Sequence, residues 1–239
     1  MGRFLAAVQF LTIVPASRGG PPARGAVFFP LVGAALGAAA GGIRLLSARV
    51  LPTSIAALLA LSFLILVTGA LHEDGLADVF DAFRAGRTPE RIQAILKDSR
   101  IGVYGATALF LTLLLRWQAI EFLDGGAIPV LAAAVGASRG AMVVFAAISR
   151  PLGDGLGKSF CMGLHPPLVI LTGLQAAALP FLQGPMAGIA ALCGNGLAIA
   201  LARSYFHRRA GGITGDCVGA VGQICEVVTL LAFLCLRFT

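Results

Sequence analysis

The sequence predicts an all-α fold: a polytopic membrane bundle of about seven transmembrane helices, with short interfacial helices on its cytoplasmic side. Three observations lead there. Of the 239 residues, 58% are hydrophobic and only 12% charged, with a mean hydropathy of +0.90, whereas a soluble domain carries about 25% charged residues. Apolar stretches close to the ~20 residues that cross a bilayer as a helix recur along the chain. Thirty-one glycines and abundant alanine suit helices that approach closely in lipid. Nothing divides the chain, so residues 1–239 read as a single integral membrane domain. The small-residue content is compatible with a homo-oligomer.

Taken in order, Arg3 to Val14 reads as an interfacial amphipathic helix. The apolar stretch after Phe4 is short and stops at Pro15, which is not a cleavable signal pattern. Spans are expected at roughly Ala26 to Leu46, Thr53 to Leu71, Ile101 to Phe122, Ala127 to Ile148, Pro167 to Leu182, Pro185 to Leu201 and Ala220 to Leu236. The first is rich in glycine and alanine, and the fifth is short and carries Gln175, so a count of six or eight is also open. Residues 72–100 form an acidic and basic loop between the second and third spans. In it, Leu76, Val79, Phe80 and Phe83 fall on one side of a helix over Asp74 to Phe83. Thr88-Pro89-Glu90 starts a second helix, with proline at the first helical position and Ile92, Ile95 and Leu96 as its apolar stripe. Both helices are expected to lie over the membrane surface. Residues 203–219 form a glycine-rich loop before the last span.

With the N-terminus in the cytoplasm, thirteen of the eighteen Lys and Arg fall in cytoplasmic segments, among them Arg18. Three, Arg44, Arg49 and Arg237, fall opposite, and Arg116 and Arg139 lie within spans. That asymmetry orients the chain in a bacterial inner membrane and places both polar loops in the cytoplasm. It also accounts for the net charge of +7. No basic stripe interleaved with aromatics is present, so nucleic-acid binding is excluded. The five cysteines form no CxxC pair and read as small hydrophobes.

Chemistry concentrates in His72-Glu73-Asp74-Gly75-Leu76-Ala77-Asp78-Val79-Phe80-Asp81. Four carboxylates and a histidine share ten residues at the end of an apolar segment, where carboxylates are costly. On a helix, Asp74, Asp78 and Asp81 stand at i, i+4 and i+7 and share one face. They repel one another unless a cation neutralises them, and hard oxygen ligands suit Mg²⁺ or Mn²⁺. The alternative is a solvated acidic face paired with Arg84, Arg87 and Arg91. Glu73 points away from that face. His72 can orient a ligand, act as a base, or sit at the interface. Lys97 and Arg100 can hold phosphate oxygens, or anchor the third span at the headgroups. Gly211, Gly212, Thr214, Gly215 and Asp216 allow close backbone approach to an anion, or simply make a tight connection. Asp154-Gly155-Leu156-Gly157-Lys158 adds a polar loop on the same side, and Glu226 within the last span needs a partner. A cytoplasm-facing site with a divalent metal and cationic groups points to phosphoryl or nucleotidyl chemistry.

Several motifs, in order, give the chain a resemblance to the cobalamin synthase family, the adenosylcobinamide-GDP ribazoletransferases. They are Gln9-Phe10-Leu11-Thr12 with Pro15, and Phe29-Pro30-Leu31-Val32-Gly33. Next come Gly69 to Asp78 with Asp81, and Lys97-Asp98-Ser99-Arg100-Ile101-Gly102. Last is Gly211-Gly212-Ile213-Thr214-Gly215-Asp216 with Gly219-Ala220. Ala82 stands where glycine is expected, and Pro166 to Leu201 carries no matching motif. The resemblance implies condensation of adenosylcobinamide-GDP with α-ribazole, or its 5′-phosphate, giving the cobamide or its phosphate and GMP. It implies Mg²⁺ as cofactor, with Asp74, Asp78 and Asp81 as ligands. His72 becomes a base or orienting group, and Lys97, Arg100 and the Gly211 to Asp216 loop become phosphate and nucleotide contacts.

Two other readings make different predictions. The acidic helix is similar in logic to that of the CDP-alcohol phosphotransferases, whose pattern includes Asp-Gly-x-x-Ala-Arg; here Ala77 is followed by Asp78. Such an enzyme would release CMP. A transporter would need charges scattered along the spans, and only Arg116, Arg139 and Glu226 qualify.

Overall fold

The protein is represented by a computed structural model that describes residues 2–15, 20–123 and 125–236; Arg18 and Arg237 lie outside them. Among the described residues the fold is helical, with one isolated bridge between Pro151 and Ile213. Twelve α-helices follow in chain order. They are α1 (Gly2–Leu11), α2 (Pro22–Gly25), α3 (Phe29–Ser47), α4 (Thr53–Thr68), α5 (Leu71–Ala85) and α6 (Pro89–Ile95), then α7 (Val103–Glu121), α8 (Ala127–Ala147), α9 (Leu156–Met162), α10 (Pro166–Ala178), α11 (Pro185–Ala210) and α12 (Gly215–Cys235).

Among the described residues six helical stretches are long and apolar enough to cross a membrane, and α4 with α5 makes a seventh if that bent pair counts as one span. The chain is thus an integral membrane helical bundle, as the composition requires. Enclosure differs along it: 83% of the α8 span is buried against 11% of the span at Pro166–Gln183, so α8 is the core helix and α10 faces outward. The seam between α3 and α8 is made by glycines four residues apart. A Cβ at Gly33 would lie 2.8 Å from the Val135 carbonyl oxygen, one at Gly37 would overlap the Leu131 carbonyl, and one at Gly41 would lie 2.5 Å from the Ile128 Cα. Backbone meets backbone there, as the small-residue spacing allows in lipid.

The break between α4 and α5 positions the site. Gly69 (φ 64°) and Ala70 (φ 56°) are both left-handed, and the helix axis turns by 86°. The Gly69 and Ala70 amides donate to the Leu66 and Ile65 carbonyls and close the end of α4. Only Ala70 is a non-glycine residue in that region among the described residues, a conformation that costs of order 1–3 kcal/mol and is held by its surroundings.

Three expectations are corrected here. The first helix of the 72–100 segment runs Leu71–Ala85 rather than Asp74 to Phe83, and its first turn is enclosed by the protein. His72 and Glu73 are 1% and 5% exposed, so its first turn is sunk against α7 and α12. The reason is a buried arginine that claims Glu73, together with Gly75 and Gly219, which let α5 cross close to α12. The span expected to end at Leu201 continues to Ala210, where Gly211 (φ 84°) ends it. The last span starts at Gly215, not Ala220. Within 203–219, therefore, residues 211–214 alone lie outside the helices. Helix continuation follows backbone capping, which hydropathy does not register.

Candidate active site

Two charge clusters flank the first turns of α5. The buried one joins four helices. Arg116 on α7 donates to Glu73 Oε1 at 2.7 Å and to Gln223 Oε1 at 2.9 Å, while Gln223 Nε2 donates to the same Glu73 oxygen at 3.1 Å. Arg116 Nη2 lies 2.7 Å from Glu226 Oε1, and Arg139 Nη1 on α8 lies 3.3 Å from Glu226 Oε2. Two carboxylates and two guanidiniums balance in a dry site, the condition under which intramembrane charges are tolerated. Glu226 thus has the partners its position demands. The Glu73–Gln223 contact also fixes the register of α5 on α12, and this has a consequence higher up α12: a Cβ on Gly75 would lie 2.9 Å from the Asp216 carbonyl oxygen.

The second cluster is acidic and uncompensated. Asp74 is exposed, Asp78 half-buried and Asp81 buried. Burial, then the charges of Asp74, Asp216 and Asp81, push the Asp78 carboxyl up to about 6. Asp216, expected only in a glycine-rich phosphate loop, therefore faces the acidic helix. Among the described residues no ion pair joins these carboxylates to Arg84, Arg87 or Arg91; Arg84 instead lies over the Tyr104 ring at 5.5 Å. Asp81 has a further duty. Its Oδ2 accepts from the Gly102 amide at 2.7 Å and its Oδ1 from the Gly105 amide at 2.9 Å. It caps α7 from another helix, satisfying two of the amides every helix start leaves unpaired. Glycine at 102 and 105 makes room, since a Cβ at either would collide with that carboxylate.

As placed, no three His, Cys, Asp or Glu side chains among the described residues stand close enough to enclose a metal ion. The cluster is an open set of hard oxygen donors. That fits Mg²⁺, which takes one or two carboxylates and leaves positions for water and substrate phosphates.

A cavity of about 570 Å³ adjoins Asp216. His72, Lys97, Thr214, Gly215, Asp216 and Lys158 line it, with Phe10, Leu96, Met142 and Phe160 among its apolar walls. The His72 ring is buried and neither nitrogen has a hydrogen-bond partner. The fold stitches loop 150–158 to the segment before α12: Leu152 donates to Ile213 at 2.7 Å, Ile213 to Arg150 at 2.9 Å, and a Cβ at Gly157 would lie 2.5 Å from the Gly215 amide. Lys158 meets Asp154 at 2.8 Å across an exposed turn.

The expected site residues divide accordingly. His72, Lys97, Thr214, Gly215 and Asp216 are gathered in the cavity; Asp74 and Asp78 lie near Asp216, while Asp81 turns to the start of α7. Arg100 is not brought in: it points to solvent, 87% exposed, and pairs with Asp98 at 2.7 Å. Gly211 and Gly212 do not line the cavity. Gly211 caps α11, and a Cβ on Gly212 would overlap the Arg150 carbonyl. Sequence reasoning assigned no role to Lys158, although a lysine behind a Gly-x-Gly turn was a visible signal. It gave none to Gln9 and Phe10 either.

The chain matches the model of a family described as cobalamin-5-phosphate synthase over residues 3–234. Among curated relatives, the adenosylcobinamide-GDP ribazoletransferase of Geotalea daltonii is 38% identical over 97% of this chain and 96% of its own. The protein of the same name from Ralstonia pickettii is 37% identical over 92% and 90%, and that from Bradyrhizobium diazoefficiens is 37% identical over 94% and 90%. No solved structure matches.

Proposed function

The chain belongs to the cobalamin-5-phosphate synthase family, and from that premise we propose that it is an adenosylcobinamide-GDP ribazoletransferase of the bacterial inner membrane, with its N-terminus and site in the cytoplasm. It joins adenosylcobinamide-GDP and α-ribazole, or its 5′-phosphate, releasing GMP. The observation that carries this reading is the meeting of the α5 carboxylates with Asp216 beside a cavity that holds His72, Lys97 and Lys158. Carboxylates and lysines at one opening suit a diphosphate that arrives with a metal ion. The Lys and Arg asymmetry supports the orientation.

Asp74 and Asp78 would hold Mg²⁺, with Asp81 and Asp216 beside them as further acidic groups. A carboxylate offers about four acceptor sites, so Asp81 would keep a lone pair for the metal while it serves the amides of α7. Bound Mg²⁺ supplies neutralisation of the charge that develops on the transferring phosphate. Lys97 and Lys158 orient the diphosphate. The ribazole hydroxyl oxygen forms a bond to the phosphorus attached to the cobinamide, and its proton passes to the free nitrogen of His72. The phosphorus–oxygen bond to GMP breaks, and GMP leaves with the electron pair.

The test is GMP release by the purified protein in lipid, with adenosylcobinamide-GDP, α-ribazole and Mg²⁺. GMP and a cobamide are expected only when ribazole is present. EDTA stops turnover and added Mg²⁺ restores it. Folded protein that makes no product overturns the reading, and CMP release from a CDP-alcohol would replace it.

A further inference from the structure

The Gln9-Phe10 pair takes no part in the chemistry above, yet the fold carries it to the same cavity. Gln9, an exposed residue, and Phe10 both line the wall contributed by α1. The Phe10 ring is part of a near-parallel set of three, 5.5 Å from Phe29 at 22° and 5.5 Å from Phe160 at 10°. Phe29 and Phe160 are buried at 0% and 1% exposure, while Phe10 keeps part of its surface open. The helix behind it is fixed. A Cβ on Gly25 would lie 2.6 Å from the Ala7 amide, and the Ile13 amide donates to the Val67 carbonyl at 2.9 Å. The open part of Phe10 therefore lines the cavity from a fixed helix, and beside it the Gln9 amide offers a donor and an acceptor. Lys97, Lys158 and Asp216 on the same lining supply phosphate-type chemistry, so the cavity combines the two halves a nucleotide-like ligand needs.

We propose that Phe10 and Gln9 form a base-binding subsite. A planar nitrogen heterocycle lies against the Phe10 ring, and the Gln9 amide bonds its edge. The proposal rests on the transferase reading and deepens it. That reaction offers two such heterocycles, the guanine of the donor and the base of the ribazole acceptor. The geometry names their shared chemistry, and binding measurements separate them.

The test is equilibrium binding of GDP alone and of α-ribazole alone to the full chain in lipid nanodiscs, for the wild type, Phe10→Leu, Phe10→Tyr and Gln9→Ala. Leucine keeps the apolar packing and removes the aromatic face. Phe10→Leu is expected to raise the Kd of one probe by about tenfold, the scale of a lost aromatic–base stack, and to leave the other unchanged. Phe10→Tyr is expected to restore it, and Gln9→Ala, on an exposed residue that the fold does not need, to weaken the same probe. A GDP effect assigns the guanine, and an α-ribazole effect the acceptor base. Wild-type binding of neither probe, unaltered binding in both Phe10→Leu and Gln9→Ala, or weakening that tyrosine does not reverse, overturns the subsite. Binding is read without turnover, so intact binding with no GMP release overturns the transferase reading and leaves the base subsite standing.

Discussion

Glu73 and Asp74 are neighbours in the chain and opposites in the structure. Glu73 turns into the bundle, where Arg116 and Gln223 take its charge and Glu226 and Arg139 complete a neutral quartet. Asp74 turns outward beside Asp78 and Asp216, and among the described residues no ion pair neutralises them. One peptide bond separates a charge that holds the fold together from a charge that works against it. Buried ionised groups must be matched by the protein itself. At the opening, the mismatch remains to be filled by something that arrives.

Substitutions break this contrast to different degrees. The largest effect on folding is expected from Arg116→Met. It leaves Glu73 and Glu226 short of a partner, and breaking a buried pair from one side costs about 3–5 kcal/mol. Thermal unfolding in detergent reads this as a lowered midpoint and poor yield; a wild-type midpoint would refute the structural role of the quartet. Asp81→Asn comes next. The new amide group faces a backbone amide of α7, donor against donor, at a cost of about 1–3 kcal/mol, and both the midpoint and activity fall. Equal midpoints would show that capping of α7 by Asp81 is dispensable.

Asp78→Asn is the smallest in stability and has the opposite sign. Folding raises the Asp78 pKa to about 6, so the folded protein resists ionisation and loses stability as pH rises from the unfolded value towards 6. Without Mg²⁺ at pH 7, the asparagine variant is expected to melt at or above the wild-type temperature, and at pH 4 the difference should vanish. Its transferase activity should fall by about a hundredfold or more, at least what indirect supports of a metal site cost. A variant that melts lower yet turns over normally would reverse the assignment of Asp78.

Much of this was open to sequence reasoning. Spans, the acidic helix and the polar islands follow from periodicity and composition, because each is a local property. What stayed hidden is pairing across the chain. Arg116, Arg139 and Glu226 were visible as intramembrane charges, but their spacing says nothing of which meets which, or that Glu73 belongs to them. The burial of the first turn of α5 was hidden for the same reason: it depends on Glu73 finding Arg116 and on Gly75 meeting Asp216. Asp81 stands at the helical spacing of a ligand, and nothing local reveals that the amides of Gly102 and Gly105 converge on it. Arg100 beside Lys97 looked equivalent to it. An aspartate two residues away turned it to solvent.

The seam of α3 against α8 sets a rule for how this gene can vary. Gly33, Gly37 and Gly41 touch the facing backbone at successive turns, and one inserted or deleted residue between them would swing every later glycine by about 100° around the helix. Side chains would then meet carbonyls where only hydrogens fit. Related chains can exchange residues freely on the lipid side of α3, and they can lengthen the loops at either end. Within this stretch they are bound to conserve the count.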